Sequence, residues 1–236
     1  MKINNKDMHW KNDNELFALM RTHLYTAVVG DILDKMGYIH QFLPQKMQPL
    51  REDMVVAGRA MTVLEADCFE ELSESGNNPI LSQPFGLMLD ALDSLKENDV
   101  YICSGSSPSY ALWGELMSTR AMKCGAVGAV VDGFSRDTRG IFKLNFPTFS
   151  HGRYAQDQAP RGKVIDYNCI IEIGGIRIEP GQIIFGDLDG VVVIPLGIEK
   201  EVILAAYEKA TGEKTVQEQI EKGMSAREAY DTYGIL

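Results

Sequence analysis

The stretch from Val100 to Asp137, VYICSGSSPSYALWGELMSTRAMKCGAVGAVVDGFSRD, decides the fold. Residues 100–103 are an apolar run of strand length, and the serines, glycine and proline at 104–108 are typical of a turn. A helical pattern follows, and its apolar face comprises Trp113, Met117, Ala121 and Cys124. Gly125 is placed to end this helix, and residues 126–131 form a second apolar strand. The stretch therefore predicts a right-handed βαβ crossover.

Charged side chains follow both strands of this unit. The first loop leads to Glu115, and the second presents Arg136 and Asp137. Loops after neighbouring parallel strands open at the same edge of a sheet, where ligands bind. Carboxylate oxygens suit a hard divalent cation, and a planar guanidinium suits a carboxylate, so the three residues predict a site for an anionic oxo acid. Alternatively, Glu115 only stabilises a helix start and Arg136–Asp137 is a solvated surface pair, because spacing alone is a weak signal.

The start of the helix between the two strands has two candidate positions. Gly114 in a helix interior would cost about 1 kcal/mol relative to alanine, whereas at a helix start it lets the backbone approach an anion. Ser107–Pro108 is the other candidate, since proline is favoured in the first turn.

Composition limits the class of protein. With 236 residues, 45% of them apolar, the chain is long enough for one sizeable core, and we expect a single domain. Its expected parts are a helical N-terminal part at 1–54, an α/β core at 55–197 and C-terminal helices at 198–236. The formal net charge of -10, with no basic block, argues against binding to nucleic acid. An acidic surface favours solubility, with a basic protein partner as the lesser alternative.

The cysteines and the N-terminus indicate a compartment. Four widely spaced cysteines without a paired motif indicate reduced thiols rather than a disulfide framework. Residues 1–6 are polar and lack the apolar core of a signal peptide, and no apolar run approaches the ~20 residues of a membrane span. We therefore expect a cytoplasmic protein without membrane contact.

The remaining elements follow from periodicity and turn signals. Further helices are predicted at 14–20, 26–37, 87–95, 198–210 and from 225 onward, with Thr26 as N-cap, Gly37 as terminator and a capping box at Ser225 and Glu228. Further strands are predicted at 55–64, 146–149, 165–173, 176–178, 183–185 and 191–194, the first being either one strand or two meeting at Gly58. Residues 40–49 and 70–84 are predicted loops. The close spacing of the later strands favours an antiparallel or mixed sheet, so the fold class is α/β with mixed sheets.

Several common sites are missing from the sequence. It contains no dinucleotide-binding glycine fingerprint, P-loop or Gly-x-Ser-x-Gly elbow. The four histidines do not fall at metal-ligand spacing. His151 follows a predicted strand and could approach the site, but a solvated or structurally hydrogen-bonded histidine is the more common case.

Four motifs in combination resemble the RraA-like family. They are Trp113-Gly114-Glu115-Leu116, Gly125-x-x-Gly128, Val131-Asp132-Gly133-x-x-Arg136-Asp137 and Asp187-x-Asp189-Gly190-Val191-Val192-Val193-Ile194-Pro195. The resemblance runs from about Thr26 to the tail. It implies a sandwich of the swivelling β/β/α type with helical additions at both termini. The family includes 4-hydroxy-4-methyl-2-oxoglutarate aldolases with oxaloacetate decarboxylase activity, and regulators that inhibit a ribonuclease.

The resemblance also implies roles for individual residues. Asp137 would ligate Mg2+ or Mn2+, Glu115 would orient a water molecule on the metal, and Arg136 would contact the oxo-acid end of the substrate. The backbone N–H groups of Gly114, Glu115, Leu116 and Met117 would receive the substrate carboxylate or keto oxygen. Relatives assemble as homotrimers or hexamers and borrow a tail glutamate from a neighbouring subunit. Glu213 is the candidate here, and a solvated helix glutamate is the alternative.

The predicted function is that of a class II, metal-dependent pyruvate aldolase. Such a lyase cleaves a carbon–carbon bond of a 4-hydroxy-2-oxo acid, and oxaloacetate decarboxylation is a possible second activity. A Schiff-base route needs a desolvated lysine, and Lys123 and Lys143 are poorly placed for it. Arg139–Gly140 stands where relatives often have an acidic residue, which bears on the identity of the substrate. The alternative function is a non-catalytic regulator that binds a protein partner such as an RNA-processing enzyme.

Overall fold

The computed structural model describes residues 10–68 and 78–235. The helices are α1 (Asp13–His23), α2 (Thr26–Lys35), α3 (Met88–Asp93), α4 (Glu115–Cys124), α5 (Thr138–Leu144), α6 (Glu199–Glu221) and α7 (Ala226–Tyr233). The strands are β1 (Gln48–Pro49), β2 (Val56–Asp67), β3 (Asp99–Ser104), β4 (Ala111–Trp113), β5 (Gly128–Val131), β6 (Phe134–Ser135), β7 (Thr148–Ser150), β8 (Gly162–Tyr167), β9 (Ile171–Ile173), β10 (Ile176–Ile178), β11 (Ile183–Asp187) and β12 (Gly190–Ile194). Of the predicted loop at 70–84, residues 70–77 lie outside the described part, and the polar N-terminus at 1–6 does so as well.

A mixed sheet forms the centre of the molecule. Its strands run in the order β1-β7-β5-β3-β2-β11-β12, and β8 pairs with the far end of β2. Strand β2 pairs in parallel with β3 and antiparallel with β11, and apolar side chains cover both faces of the sheet. The predicted α/β class with mixed sheets and helices at both termini is confirmed. The proposed division of the chain at residues 54 and 197 stays a prediction.

Strand β2 is continuous through Gly58, so the alternative of two strands meeting there is wrong. A Cβ at Gly58 would lie 2.3 Å from the backbone oxygen of Asn98. The glycine therefore serves the close approach of two chain segments, and the strand does not break.

The βαβ crossover is confirmed, because β3 and β5 are parallel neighbours and Gly125 ends α4 with a φ of +90°. The start of the helix corrects the sequence analysis. Helix α4 begins at Glu115 with Gly114 as N-cap, so the start at Ser107–Pro108 is wrong and Trp113 is not helical. Trp113 belongs to β4, where it is buried and stacks on Phe146 with ring centroids 6.0 Å apart. A three-residue strand is too short for a periodic signal, so only tertiary pairing reveals it.

Helix α2 is capped differently from the prediction. Tyr25 occupies the N-cap position and Thr26 is the first helical residue. The backbone N–H and the hydroxyl of Thr26 donate to the carboxylate of Asp187 at 2.7 and 2.6 Å. A residue 161 positions away therefore stabilises the helix start, which no local pattern reveals. Gly37 has a φ of +87° just after the helix ends, as predicted.

Other boundaries also differ from the predictions. The predicted strand 165–173 is two strands, β8 and β9, separated at Asn168, whose φ is +52°. The predicted loop 40–49 contributes β1, which pairs with β7. Helix α6 continues through Gly212 to Glu221 instead of ending at Ala210. Ser225 caps α7 through the N–H of Glu228, as the capping box predicts.

Among the described residues, no single helix has the length and apolarity to cross a membrane. Helices α1 and α2 meet those criteria only as a pair, and they are bent by 105° relative to each other.

Candidate functional site

A small parallel pair of strands carries the candidate site. Strands β4 and β6 lie side by side, and the N–H of Arg136 donates to the oxygen of Trp113 at 2.9 Å. Each strand is followed at once by a helix, α4 after β4 and α5 after β6. The start of α4 and the Arg136–Asp137 dipeptide are therefore neighbours. The sequence predicts this convergence, but it places the residues directly after β3 and β5 and misses the second pair of strands.

Gly114 lies between the starts of helices α4 and α5. Its backbone is extended, with a φ of -156°, so the glycine is not needed for a special conformation. A Cβ at this position would lie 2.8 Å from Oδ2 of Asp137. The missing side chain thus keeps open the space in front of that carboxylate.

The first turn of α4 presents unsatisfied backbone donors. No side chain caps the helix, and its first internal bond runs from the N–H of Ser118 to the oxygen of Gly114 at 3.0 Å. The N–H groups of Glu115, Leu116 and Met117 precede that bond and have no partner inside the helix. Aligned peptide dipoles add positive potential at this end, so the turn suits an anionic oxygen.

Asp137 is held in an uncommon backbone conformation. Its φ and ψ are 55° and 33°, in the left-handed region that non-glycine residues seldom adopt. It occupies the N-cap position of α5, yet its side chain makes no capping hydrogen bond. Its carboxylate, 48% exposed, lies instead towards Gly114 and 3.7 Å from Nε of Arg136. A strained residue whose carboxylate is left available is typical of a functional position.

Arg136 is positioned by two acids. Besides Asp137, it contacts Asp157, with 3.2 Å between Nη1 and Oδ1. Sequence reasoning missed Asp157, which lies in an irregular segment. That segment runs beside β4, where the N–H of Ala111 donates to the oxygen of Gln156 at 2.8 Å. Because this segment has no periodic pattern, no local signal in the sequence indicates the contact.

Glu115 lies on the other side of Gly114, against α5. A Cβ at Gly140 would lie 2.0 Å from the carboxyl carbon of Glu115. Gly140 is in the first turn of α5, where its N–H donates to the oxygen of Asp137 at 2.8 Å. Gly140, which with Arg139 stands where relatives often have an acidic residue, therefore leaves room for the side chain of Glu115. Glu115 lines neither of the two clefts that flank Arg136 and Asp137 in the described part of the chain.

The two clefts differ in character. The first, here called the apolar cleft, has a volume of about 200 Å³. It is lined by Phe85, Met88, Ala111, Leu112, Trp113, Gly114, Leu116, Met117, Arg136, Asp137, Asp157 and Gln158. The second, here called the polar cleft, has a volume of about 260 Å³ and is lined by Ser135, Arg136, Asp137, Thr138, Arg153, Tyr154 and Ala155. Of the four residues whose N–H groups are the predicted donors, Gly114, Leu116 and Met117 line the apolar cleft, and Glu115 does not.

The buried acid Glu65 contacts Gln158, which lines the apolar cleft. Nε2 of Gln158 donates to Oε2 of Glu65, which is 1% exposed. Burial raises the pKa of Glu65 to about 8, although the hydrogen bond from Gln158 acts in the opposite direction. Glu65 is therefore largely protonated at pH 7. Sequence reasoning missed it, and an acidic residue within an apolar strand pattern was the available signal.

The residues present fit a hard divalent cation. Within the described ranges, no group of three or more His, Cys, Asp or Glu residues could hold a metal. Mg2+ does not need such a group, because it keeps several waters and binds through one or two carboxylates plus substrate oxygens. Asp137 offers one carboxylate that caps no helix and faces the space kept open by Gly114. That donor fits the predicted Mg2+ or Mn2+.

The other candidate residues lie away from the clefts. Nε2 of His151 is 2.9 Å from Oδ1 of Asp132, and the ring is buried, so His151 is structurally hydrogen-bonded and not solvated. Lys123 is in the last turn of α4 and Lys143 in the last turn of α5, and neither lines a cleft. Glu213 lies on α6 beside a separate groove, 3.1 Å from Nζ of Lys209. Burial raises the pKa of Glu213.

Comparison with known proteins places these features in context. Residues 26–193 match the model of the RraA-like family, described as Aldolase/RraA. A protein of Halalkalibacterium halodurans, provisionally named 4-hydroxy-4-methyl-2-oxoglutarate aldolase, is 32% identical over 206 residues, covering 87% of this chain and 89% of its own. A solved structure from Pseudomonas syringae pv. tomato, of a protein described as uncharacterized, is 26% identical with a TM-score of 0.80 and covers 99% of this chain and 100% of its own. Streptomyces coelicolor RraAS2, titled an unusual member of the RNase ES inhibitor RraA family, shares the fold at 20% identity, with a TM-score of 0.72, over 89% of this chain and 99% of its own.

Proposed function

The chain belongs to the RraA-like family, and we propose that it is a divalent-metal-dependent lyase that releases pyruvate from a 4-hydroxy-2-oxo acid. The observation that carries the proposal is the convergence of Arg136 and the half-exposed carboxylate of Asp137 on the uncapped start of α4. Relatives named as aldolases support the same class of reaction. Membership of the family alone would not support a lyase reaction, because enzymes and regulators share the fold.

In this proposal, Asp137 would hold Mg2+ or Mn2+, and Glu115 would contribute through water. When bound, such a cation would supply Lewis-acid stabilisation of the negative charge that develops on the oxo acid. Gly114 contributes by leaving the space in front of Asp137 open.

Arg136 binds the carboxylate of the substrate. Its contacts with Asp137 and Asp157 hold the guanidinium in place at the cleft, so less side-chain entropy is lost on binding. The N–H groups of Glu115, Leu116 and Met117 receive the carboxylate or keto oxygen at the positive end of α4. Together these donors orient the C3–C4 bond of the substrate for cleavage.

The reaction needs one proton to leave and another to arrive. The 4-hydroxyl loses its proton, C4 becomes the carbonyl carbon of the departing aldehyde or ketone, and the C3–C4 bonding electrons form the pyruvate enolate. The enolate then takes a proton at C3. Glu115 is the proposed base and acid for both transfers, acting through water because its side chain lies outside the clefts. Decarboxylation of oxaloacetate passes through the same enolate and is proposed as a second, slower activity.

We propose that the active form is a homotrimer or hexamer. Glu213 lines a groove on α6 that has exposed apolar members, including Ile220. Within one chain this acid does not reach the clefts. A neighbouring subunit would have to supply it, as the family resemblance implies.

The second candidate function is a regulator that binds a protein partner. The net charge of -10 supports it, because an acidic surface suits a basic protein partner. A binding role of this kind would leave Asp137 without a chemical task.

The lyase proposal is tested by measuring pyruvate release from 4-hydroxy-2-oxo acids and from oxaloacetate, with Mg2+ and with excess EDTA. We expect EDTA to abolish release and Mg2+ or Mn2+ to restore it. Borohydride with substrate should not trap the protein, because the route has no Schiff base. Release that persists in EDTA contradicts the metal route, and no release from any substrate favours the regulator.

A further inference from the structure

The apolar cleft contains the proposed donors for the pyruvyl end, so its remaining walls face the other half of the substrate. The apolar lining of the cleft includes Phe85, Met88, Leu112, Leu116 and Met117. Leu116, in the first turn of α4, lines the cleft and is 83% exposed. An apolar side chain this exposed beside a site is placed to meet an apolar group of a ligand.

Charge in the cleft is already matched. Arg136 is the one cation among the described residues that line it, and two aspartates, Asp137 and Asp157, contact that guanidinium. The substrate carboxylate and the metal would join this set. A second carboxylate on the substrate would therefore lie against apolar walls and beside Asp157 without a counter-charge, which is unfavourable.

From this we infer that the site selects monocarboxylic 4-hydroxy-2-oxo acids with an aliphatic substituent on C4, in preference to dicarboxylates such as 4-hydroxy-4-methyl-2-oxoglutarate. The inference rests on the proposed lyase function and narrows its substrate class. A cleft of about 200 Å³ suits a substituent of a few carbons. The polar cleft, with Arg153, is the alternative place for a second carboxylate; that guanidinium lies over the ring of Phe142 and donates to the oxygen of Leu50.

The test uses the full chain with Mg2+ and a series of matched substrates. 4-Hydroxy-2-oxopentanoate, 4-hydroxy-2-oxohexanoate and 4-hydroxy-2-oxoheptanoate differ by one methylene each, and 4-hydroxy-2-oxoglutarate carries a carboxylate on C4. We expect kcat/KM for pyruvate release to rise about fourfold per methylene. The heptanoate should exceed the dicarboxylate by at least about tenfold. A flat series, or a dicarboxylate that is equal or better, overturns the inference.

Lysine substitutions at two neighbouring positions test whether the apolar cleft sets the preference between the two substrates. Met88→Lys places a cation on the wall of the apolar cleft, and we expect it to shift the heptanoate-to-dicarboxylate ratio at least about tenfold towards the dicarboxylate. Leu89→Lys adds the same charge one residue away on an exposed position outside the cleft, and it should leave the ratio unchanged. Equal shifts in both variants contradict the assignment. A preference for the dicarboxylate that is lost in Arg153→Gln also contradicts the assignment. That result would show that the second carboxylate binds in the polar cleft.

Binding of uncleavable acids separates this inference from the proposed function. 2-Oxohexanoate and 2-oxoglutarate lack the 4-hydroxyl, so calorimetry with the Mg2+-loaded protein reports affinity without turnover. We expect tighter binding of 2-oxohexanoate by about tenfold, and equal or reversed affinities overturn the inference. If no hydroxy acid releases pyruvate, the lyase proposal fails, and the affinity ratio still decides the preference of the cleft.

Discussion

Two acids border the apolar cleft in opposite environments. Asp137 stands at the rim with a half-exposed carboxylate that caps no helix. Glu65 lies behind the wall, fully buried, and holds the amide of Gln158. The carboxylate of Asp137 at the rim is thus available to a cation. The carboxyl group of Glu65 in the interior is largely protonated, because burial raises its pKa to about 8. Solvation decides which carboxylate can act as a ligand.

The largest effect is expected from removing the rim acid. Asp137→Ala should lower pyruvate release about 1000-fold, because the cation loses its direct ligand from this chain. Asp90→Ala removes an exposed aspartate outside both clefts and should leave the rate within about twofold. Steady-state kinetics with saturating Mg2+ measures both variants. Comparable losses in the two would show that Asp137 has no special role.

Removing the interior acid should change stability instead of chemistry. The pKa of Glu65 is raised to about 8 in the folded protein, so between pH 4.5 and 8 the folded state binds more protons than the unfolded state. The unfolding free energy therefore falls as pH rises through this window, by about 3 kcal/mol between pH 6 and pH 9. Glu65→Gln should remove that dependence. Guanidinium titrations at the two pH values measure it.

The exposed Glu172 is the matched control for the interior acid. Glu172→Gln should keep the wild-type dependence of the unfolding free energy on pH. If Glu65→Gln keeps it as well, Glu65 is ionised in the folded protein and the contrast with Asp137 is wrong.

Filling the space in front of the rim acid should have a smaller effect. In Gly114→Ala the new methyl would lie 2.8 Å from Oδ2 of Asp137, which forces the carboxylate to move. We expect kcat to fall about 30-fold, since misplaced catalytic groups lose rate steeply. Gly212→Ala, in the interior of α6, meets only the end of the Ile235 side chain and should leave kcat unchanged. An unaffected Gly114→Ala would mean that the space is not used.

A third acid has a purely structural role and gives the smallest effect. Asp187 accepts from the N–H and hydroxyl of Thr26 at the start of α2. Asp187→Ala should lower the unfolding free energy by about 1 kcal/mol, as the loss of a helix cap does. Asp189→Ala, on an exposed neighbour in the same turn, should cost less. Thermal unfolding of the two variants at one pH makes the comparison.

The sequence predicted elements well where their signals are local. The crossover from β3 through α4 to β5, the terminating Gly125 and the Ser225 cap are all present. Its errors concern elements without a local period. Strands β4 and β6 have three and two residues, and α6 passes through Gly212 because packing outweighs the weak propensity of one glycine.

The candidate site divides in the same way. Arg136, Asp137 and the start of α4 were indicated by spacing and by the family motifs, and the structure brings them together. Asp157, Gln158 and Glu65 were missed, because their positions depend on a segment that folds back beside β4. The catalytic roles of Glu115, Arg136 and Asp137, and the contribution of Glu213, stay predictions.

By itself, the sequence determined the α/β class, the crossover unit and the membership of a family, because periodicity, turn residues and short motifs depend on near neighbours in the chain. The tertiary structure alone decided which acid is exposed and which is protonated, and which walls the cleft has. Those properties depend on burial and on contacts such as Asp187 with Thr26, across 161 positions. Such contacts form only when the whole chain folds, so no local pattern encodes them.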